Sequence, residues 1–198
     1  MEITENNTII LAGKIESINF YYECNNKRFN DLVIGVQRFS LEKDYIHCNI
    51  QEDFCKGYKV GDYVEIAGAI RSRNYRDDKG KNRCKIYVQA ETLCEYSGTD
   101  INKVEFIGTL CRQPIFRTTP KGKLISDFIV ANNKNRISSY IPSIAWGANA
   151  YRIKDMKVGT RFEIIGRLQS REYNKKINEN EFETRTAYEL SVNTISLL

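Results

Sequence analysis

Short stretches in which apolar and polar residues alternate make up about half of the second half of this chain. They are rich in Ile, Val, Phe and Tyr, and they cover residues 104–110, 124–130, 140–146, 161–173 and 182–195. Alternation with a period of two is typical of β-strands that bury one face. One short helix is predicted over residues 147–153, between the third and fourth of these stretches. The pattern therefore predicts an all-β unit.

The first half of the chain repeats the order of the second. Residues 59–75 return without a gap as residues 157–173. The aligned positions upstream are Gly13 with Gly108, Asp31 with Asp127, and Tyr45 with Tyr140. We therefore predict two copies of one domain, a first repeat at residues 1–98 and a second repeat at residues 99–198. The helix has a shorter predicted counterpart near residues 52–56.

A glycine interrupts the long fourth strand of each repeat, Gly68 in the first and Gly166 in the second. Glycine inside a strand often permits the bend that closes a small barrel. Five strands with a helix between the third and fourth is the order of an OB-fold, a five-stranded Greek-key barrel. The sequence thus predicts two tandem OB-folds.

The charge of the chain is divided unevenly between the repeats. The 198 residues carry a net charge of +5. Residues 1–98 hold 14 basic and 15 acidic side chains, whereas residues 99–198 hold 16 basic and 10 acidic ones. Because positive charge steers polyanions, we expect the second repeat to be the stronger binding half for such a ligand.

The residue inventory argues against metal, cofactor and membrane functions. The six cysteines show no C-x-x-C spacing and His47 is the only histidine, so neither a zinc site nor a cofactor is expected. No apolar run approaches the roughly 20 residues that cross a bilayer. The N-terminus is acidic and lacks the features of a secretory signal, which favours a cytoplasmic location. No group of paired carboxylates and no phosphate loop indicates an enzyme.

The fourth strands carry the chemistry that single-stranded nucleic acid requires, which is cations for phosphates and rings for bases. Residues two apart in a strand share a face, so Arg71, Arg73 and Tyr75 are expected to project together. The same spacing joins Arg171 and Tyr173 in the second repeat. Each strand leads into a polar hairpin, where OB-folds commonly contact nucleic acid.

Five segments of the second repeat resemble the bacterial single-stranded DNA-binding protein family. They are residues 102–110, 114–122, 127–132, 140–147 and 166–173. The short segment 133–138, interpreted as a loop, is more similar to the family's relative primosomal replication protein N. The first repeat is supported mainly by residues 68–75 and by its match to the second.

The resemblance implies that Tyr140, Trp146 and Tyr173 stack on bases. It also implies a homodimer, because two OB-folds per chain would reach the four that family members commonly assemble. Family members usually end in an acidic tail that recruits replication and repair proteins. The last residues here, 191–198, contain no acidic run, so recruitment through such a tail is not expected.

The hypothesis that follows is sequence-independent binding of single-stranded DNA in replication, recombination or repair. The alternative is an OB-fold interaction or primosome-type module with weak or one-sided nucleic-acid binding, and an enzyme ranks last. The candidate nucleic-acid-binding residues are Tyr45, Arg71, Arg73, Tyr75, Arg117, Lys121, Lys123, Tyr140, Trp146, Arg171, Tyr173, Lys175 and Lys176.

Overall fold

A computed structural model describes residues 6–78, 80–178 and 181–198 of the chain. The strands are β1 (Asn7–Cys24), β2 (Lys27–Gln37), β3 (Lys43–Gln51), β4 (Tyr63–Arg76), β5 (Asn82–Glu95), β6 (Ile101–Leu110), β7 (Ile115–Thr118), β8 (Leu124–Lys134), β9 (Ile137–Trp146), β10 (Arg161–Lys176) and β11 (Phe182–Leu197). A 3-10 helix, Glu52–Cys55, follows β3, and helix α1, Gly147–Ile153, follows β9. No helix within these ranges has the length and hydropathy needed to span a membrane.

Strand pairing closes each repeat into a barrel. In the first repeat the order is β1-β2-β3-β5-β4, and β4 pairs back onto β1. In the second repeat β6, β8, β9, β11 and β10 follow the same order and close from β10 onto β6. The pairs β3–β5 and β9–β11 are parallel, and the other pairs are antiparallel. The prediction of two tandem OB-folds, each with a short helix after its third barrel strand, is confirmed.

The two strand glycines lie where the ladders shift register. The β4–β5 pairing slips between Ala67 and Gly68, and the β10–β11 pairing slips between Ile165 and Gly166. A Cβ atom would lie 2.2 Å from a backbone oxygen of the neighbouring strand at either glycine. Only glycine therefore allows the close approach that bends these strands into a barrel.

The barrels join through antiparallel pairing of β1 with β6, which continues one sheet across both repeats. Aligning Gly13 with Gly108 makes Asn7 and Asn102 equivalent. The Asn7 side chain exchanges two hydrogen bonds of 2.8 Å with the backbone of Ile70. Asn102 does the same with Leu168, at 2.7 and 3.0 Å. The two repeats are thus related by an approximate two-fold axis within the chain.

A second pair of contacts follows the same symmetry. The backbone N–H of Tyr45, on β3, donates to Ser170 Oγ on β10 at 3.0 Å. The N–H of Tyr140, on β9, donates to Ser72 Oγ on β4 at 2.8 Å. Each third strand therefore lies against the fourth strand of the other repeat. The division at residues 98 and 99 falls between β5 and β6 and stays a prediction.

Two local predictions differ from the structure. The segment 133–138, interpreted as a loop, is mostly strand, because β8 runs to Lys134 and β9 starts at Ile137. The turn is only Asn135 and Arg136, whose φ angles of 56° and 61° suit a tight two-residue hairpin. Strand β7 was not predicted, since its four residues are all exposed and lack a clear alternation.

Candidate nucleic-acid interface

An open groove of 1710 Å³ crosses the second barrel and reaches the first repeat. Its walls come from the β7–β8 turn, the end of β9 and the facing strands β10 and β11. The first repeat adds the β2–β3 turn and the start of β3. The groove therefore combines elements that are distant in the sequence, and it spans the junction of the two repeats.

The groove brings together part of the predicted site. Its lining includes the predicted residues Tyr45, Arg117, Lys121, Lys123, Trp146 and Arg171. Tyr45 belongs to the first repeat and the others to the second. The side chains of Tyr45 and Trp146 are 47% and 38% exposed, so both rings offer a face to a ligand.

The β7–β8 turn holds the lysines at the edge of the groove. The Lys123 N–H donates to Thr119 Oγ1 at 3.0 Å, and the Gly122 N–H donates to the Thr119 carbonyl at 2.8 Å. Lys121 and Lys123 are exposed and form no ion pair with a described residue. Arg117 lies beside them, and its Nε donates to Asp127 Oδ2 at 2.7 Å. Two of the three cations are therefore available to an anionic ligand.

A buried carboxylate fixes the first repeat against this groove. Asp44 is 1% exposed and accepts hydrogen bonds from Arg38 Nε at 2.8 Å and from the Ser170 N–H at 2.7 Å. Arg38 also donates to the Ser170 carbonyl at 2.9 Å. The hydrogen bond to Asp44 raises the pKa of Arg38. This arrangement holds Tyr45 next to Arg171, because both are sequence neighbours of residues that it joins.

Arg171 and Tyr173 lie on the extension of β10 beyond the barrel. The Arg171 guanidinium is 5.8 Å from the Tyr173 ring centre and its Nε is 3.9 Å from Glu189 Oε1. Lys175 and Lys176 lie further along the same extension and are exposed. Tyr173, Lys175 and Lys176 do not line the groove. Contacts between these three residues of the β10–β11 hairpin and nucleic acid stay predictions.

The residues predicted on β4 do not line the groove. Arg73 and Tyr75 are exposed on the strand extension, next to Ser72 and therefore near Tyr140. Arg71 is only 5% exposed, and its Nη1 donates to the Lys134 and Ile137 carbonyls at 3.2 and 3.3 Å. A nucleic-acid contact by Arg71 has no support in this geometry, because its guanidinium already joins β4 to the β8–β9 turn.

Side chains of the first repeat fill the face that corresponds to the groove. Asp31 and Asn49 occupy the positions of Asp127 and Ile144, which line the groove in the second repeat. The Asn49 Nδ2 donates to the Tyr22 hydroxyl at 3.2 Å. The Tyr22 ring stacks on Phe29, with ring centres 4.8 Å apart. The β1–β2 hairpin thus covers in the first repeat what lies open in the second.

Asp31 anchors this cover electrostatically. Its Oδ2 lies 2.8 Å from His47 Nδ1 and 3.4 Å from Lys85 Nζ, and Lys85 in turn lies 4.2 Å from the Tyr21 ring centre. Burial favours the neutral acid, but the His47 hydrogen bond and charge, followed by Lys85, outweigh it and lower the pKa of Asp31. The nearby Tyr188 has its pKa raised to about 12 by burial and by the Asp31 charge. Lys85 is thereby occupied with partners of its own repeat.

Sequence reasoning missed three features around the groove. Arg167 lines it, but one arginine in an alternating strand carries no signal of its own. Arg38 lines it only because the β2–β3 turn meets the other repeat. Phe39 and Leu41, at the tip of that turn, are the most exposed large apolar side chains among the described residues, at 110% and 86%. Neither residue lies in an alternating pattern, so the sequence does not distinguish these exposed side chains from buried core residues.

Cysteine and metal chemistry receive no support from the described residues. Within those ranges no group of three or more His, Cys, Asp and Glu side chains is placed to hold a metal ion. Burial raises the pKa of the thiols of Cys48, Cys55, Cys84 and Cys111, and a higher pKa disfavours the reactive thiolate.

Comparison with known sequences identifies relatives of this chain. Residues 101–198 match the model of the single-strand binding protein family. The chain is 24% identical to a single-stranded DNA-binding protein of Deinococcus radiodurans over 155 residues, which is 66% of this chain and 51% of the relative. It is 28% identical to single-stranded DNA-binding protein A of Bacillus subtilis over 97 residues, or 45% of this chain and 56% of the relative. The chain spans about half the length of the curated relatives that it matches.

Comparison with solved structures extends the likeness to both repeats. The wild-type single-stranded DNA binding protein from Thermus aquaticus covers 98% of this chain, and this chain covers 93% of that one. The TM-score is 0.77 and the sequence identity is 20%. This level of likeness shows a common fold. The family match at residues 101–198 confirms the resemblance inferred from the sequence motifs.

Proposed function

Because residues 101–198 match the single-strand binding protein family, we propose that the chain binds single-stranded DNA without regard to base sequence. The groove of the second repeat is the proposed site. Lys121, Lys123 and Arg171 would contact phosphates, and Trp146 and Tyr45 would stack on bases. The proposal requires neither a cofactor nor a catalytic group.

The juxtaposition of unpaired lysines with two exposed rings in one groove is the observation that carries this proposal. Cations along a groove follow the phosphate chain, and each base that stacks on a ring contributes about 1–3 kcal/mol. Stacking is tolerant of sequence because every base has a π-face. The surplus of basic residues in the second repeat favours the same ligand.

Fluorescence titration tests the proposal directly, because Trp146 is the only tryptophan. Adding poly-dT should quench Trp146, and the affinity should fall steeply as salt increases because counterions are released when phosphates are neutralised. Duplex DNA and RNA of matched length serve as competitors. Failure of poly-dT to bind at micromolar protein, with duplex or RNA still bound, would exclude the proposed function.

A role in replication, recombination or repair and a homodimer of four OB-folds extend this proposal. Native mass measurement of the full chain tests the dimer. A mass of one chain would leave only the internal pair of OB-folds that β1 and β6 join.

One-sided binding is the second candidate, and the covered face of the first repeat favours it. Tyr22 is engaged by Asn49 and Lys85 by Asp31, so neither the ring nor the cation is available to a ligand there. In this form of the proposal the second repeat binds DNA and the first repeat contributes mainly Tyr45. A stoichiometry of one bound strand per chain would support it.

A further inference from the structure

We infer that Arg167, on strand β10, holds one backbone phosphate of the strand bound in the groove. This inference rests on the proposed function for its ligand, and it adds a contact that neither the motifs nor the resemblance indicated. Three observations carry it: the position of the side chain, its unmet hydrogen bond, and the charges that face it.

Arg167 lines the groove immediately after the bulge at Gly166. Its Nη2 donates to Gln169 Oε1 at 3.2 Å. Gln169 is itself oriented, because its Nε2 donates to Glu189 Oε1 at 2.7 Å. The guanidinium is therefore held in one orientation by a neutral amide, and no carboxylate of the described residues forms an ion pair with it.

The Nε of Arg167 is buried and has no hydrogen-bond partner among the described residues. A buried donor without an acceptor is destabilising, so such groups in folded proteins usually meet a ligand or a water molecule. Arginine presents its donors in a rigid fork that matches phosphate oxygens. The Nε itself is enclosed, so a phosphate would be held by the Nη1 and Nη2 groups of the fork, of which the described residues occupy only Nη2.

The charges around Arg167 favour an anion. Burial and the positive charge of Arg38 lower the pKa of Arg167, and the charges of Asp44 and Glu42 only partly oppose this. Both acids are already engaged, since Asp44 and Glu42 each form an ion pair with Arg38. Two guanidinium groups, one from each repeat, thus approach each other at the junction, and a phosphate would relieve their repulsion.

The first repeat has no equivalent of this subsite. In the match of residues 59–75 to 157–173, Ala69 occupies the position of Arg167, and Ala69 is fully buried. The inference therefore predicts one such phosphate contact per chain.

Substitution of Arg167 by glutamine in the full chain tests the inference. Arg167→Gln should weaken poly-dT binding about tenfold at low salt, as expected for loss of a charge-assisted hydrogen bond. It should also reduce the slope of log affinity against log salt by about 0.7, the value for one phosphate of a single strand. Arg152→Gln, an exposed arginine of the same repeat outside the groove, removes the same charge and should leave the slope unchanged. An unchanged slope in Arg167→Gln would overturn the inference while the proposed function stands.

Inorganic phosphate provides a readout that does not depend on DNA. Phosphate should raise the Tm of the wild-type chain above its value in sodium chloride of equal ionic strength, because it binds only the folded state. The rise should persist in Arg152→Gln and disappear in Arg167→Gln. If the wild-type chain failed to bind poly-dT, the proposed function would fail and this measurement would still decide the anion site. Equal rises in Tm for all three proteins would overturn it.

Discussion

The β-hairpin over the first barrel and its counterpart over the second occupy equivalent places and have opposite chemistry. Alignment of Asp31 with Asp127 makes Phe29 equivalent to Ile125. Across the hairpins, Tyr22 pairs with Phe29 and Arg117 pairs with Ile125, so Tyr22 is the counterpart of Arg117. Tyr22 packs inward on its own barrel, whereas Arg117 lines an open groove. One fold thus carries a closed surface and an open one, and the difference lies in the side chains of one hairpin.

The course of the chain before the hairpin accounts for this difference. In the first repeat β1 continues for 18 residues, and beyond the register shift between Phe20 and Tyr22 the Tyr22 ring packs on Phe29. In the second repeat Pro114 separates β6 from β7, because proline lacks the N–H that a strand ladder requires. The shorter hairpin leaves the barrel face uncovered. In a chain of two repeats, one repeat can therefore bind the ligand while the corresponding residues of the other stabilise the fold.

The largest expected effect comes from removing two groove residues of the second repeat, Trp146 and Arg171. Trp146→Ala with Arg171→Ala should weaken poly-dT binding by about 100-fold, because a stacking ring and a phosphate contact are both lost. The matched variant, Gln51→Ala with Arg73→Ala, changes the equivalent positions of the first repeat and should weaken it less than about threefold. Anisotropy of a labelled oligonucleotide measures both affinities. Equal losses would show that the repeats bind alike.

A second test separates support from binding at the hairpin positions. Tyr22→Ala should lower the free energy of unfolding by about 2 kcal/mol, since a stacked ring pair and a hydrogen bond are lost. Poly-dT affinity should remain unchanged. Lys123→Ala, in the turn that follows Arg117 on the second hairpin, should instead weaken poly-dT binding and leave stability unchanged, because its side chain is exposed and forms no ion pair with a described residue. Denaturant unfolding and anisotropy together distinguish the two results, and loss of affinity in Tyr22→Ala would contradict the comparison.

The β2–β3 and β8–β9 turns offer a smaller contrast. Leu41 has a φ of 67°, a left-handed conformation that costs a non-glycine residue about 1–2 kcal/mol. Leu41→Gly relieves this strain at an entropic cost of about 0.5–1 kcal/mol, so stability should rise by up to about 1 kcal/mol. Asn135→Gly, at a φ of 56°, should give no gain, because asparagine tolerates this conformation. Thermal unfolding measures the stability of both variants. A loss of stability in Leu41→Gly would mean that the leucine side chain stabilises the turn.

The smallest effect concerns Asp31, the anchor of the closed surface. Its pKa is lower in the folded chain than in the unfolded chain, so its ionised form stabilises the fold. That contribution is present above the unfolded value of about 3.9 and is lost as pH falls through the lower folded value. Asp31→Asn should therefore flatten the pH dependence of stability below about pH 4. Asp127→Asn is the control in the second repeat. If it flattened the pH dependence of stability as much as Asp31→Asn does, the two aspartates would not differ in their contribution to stability.

Local pattern was sufficient wherever a residue's role depended on its neighbours in the chain. The alternation of residues 104–110 predicted β6, because burial of one face requires that spacing. The internal repeat predicted the first barrel from the second. The exposed β7 and the two-residue turn at Asn135 escaped prediction, since neither depends on a buried face.

The assembly of the site depended on contacts that no pattern records. The spacing of Tyr140 and Trp146 placed them on one face of one repeat, yet only Trp146 lines the groove. Tyr140 lies against Ser72 of the first repeat, and Tyr45 reaches the groove of the second through Ser170. Arg71 satisfied the period-two rule and is nevertheless buried by backbone carbonyls of the other repeat.

The sequence by itself determined that the chain contains two barrels, where their strands lie, and which half carries the positive charge. These properties follow from short-range spacing and from composition, and both can be read directly from the sequence. Only the tertiary structure decided which surface is open and which residues meet there. Pairing of β1 with β6 brings residues far apart in the chain, such as Asp44 and Ser170, into contact, and packing of one hairpin closes the first surface. Long-range pairing and side-chain packing are properties of the folded chain as a whole, so local spacing carries no record of them.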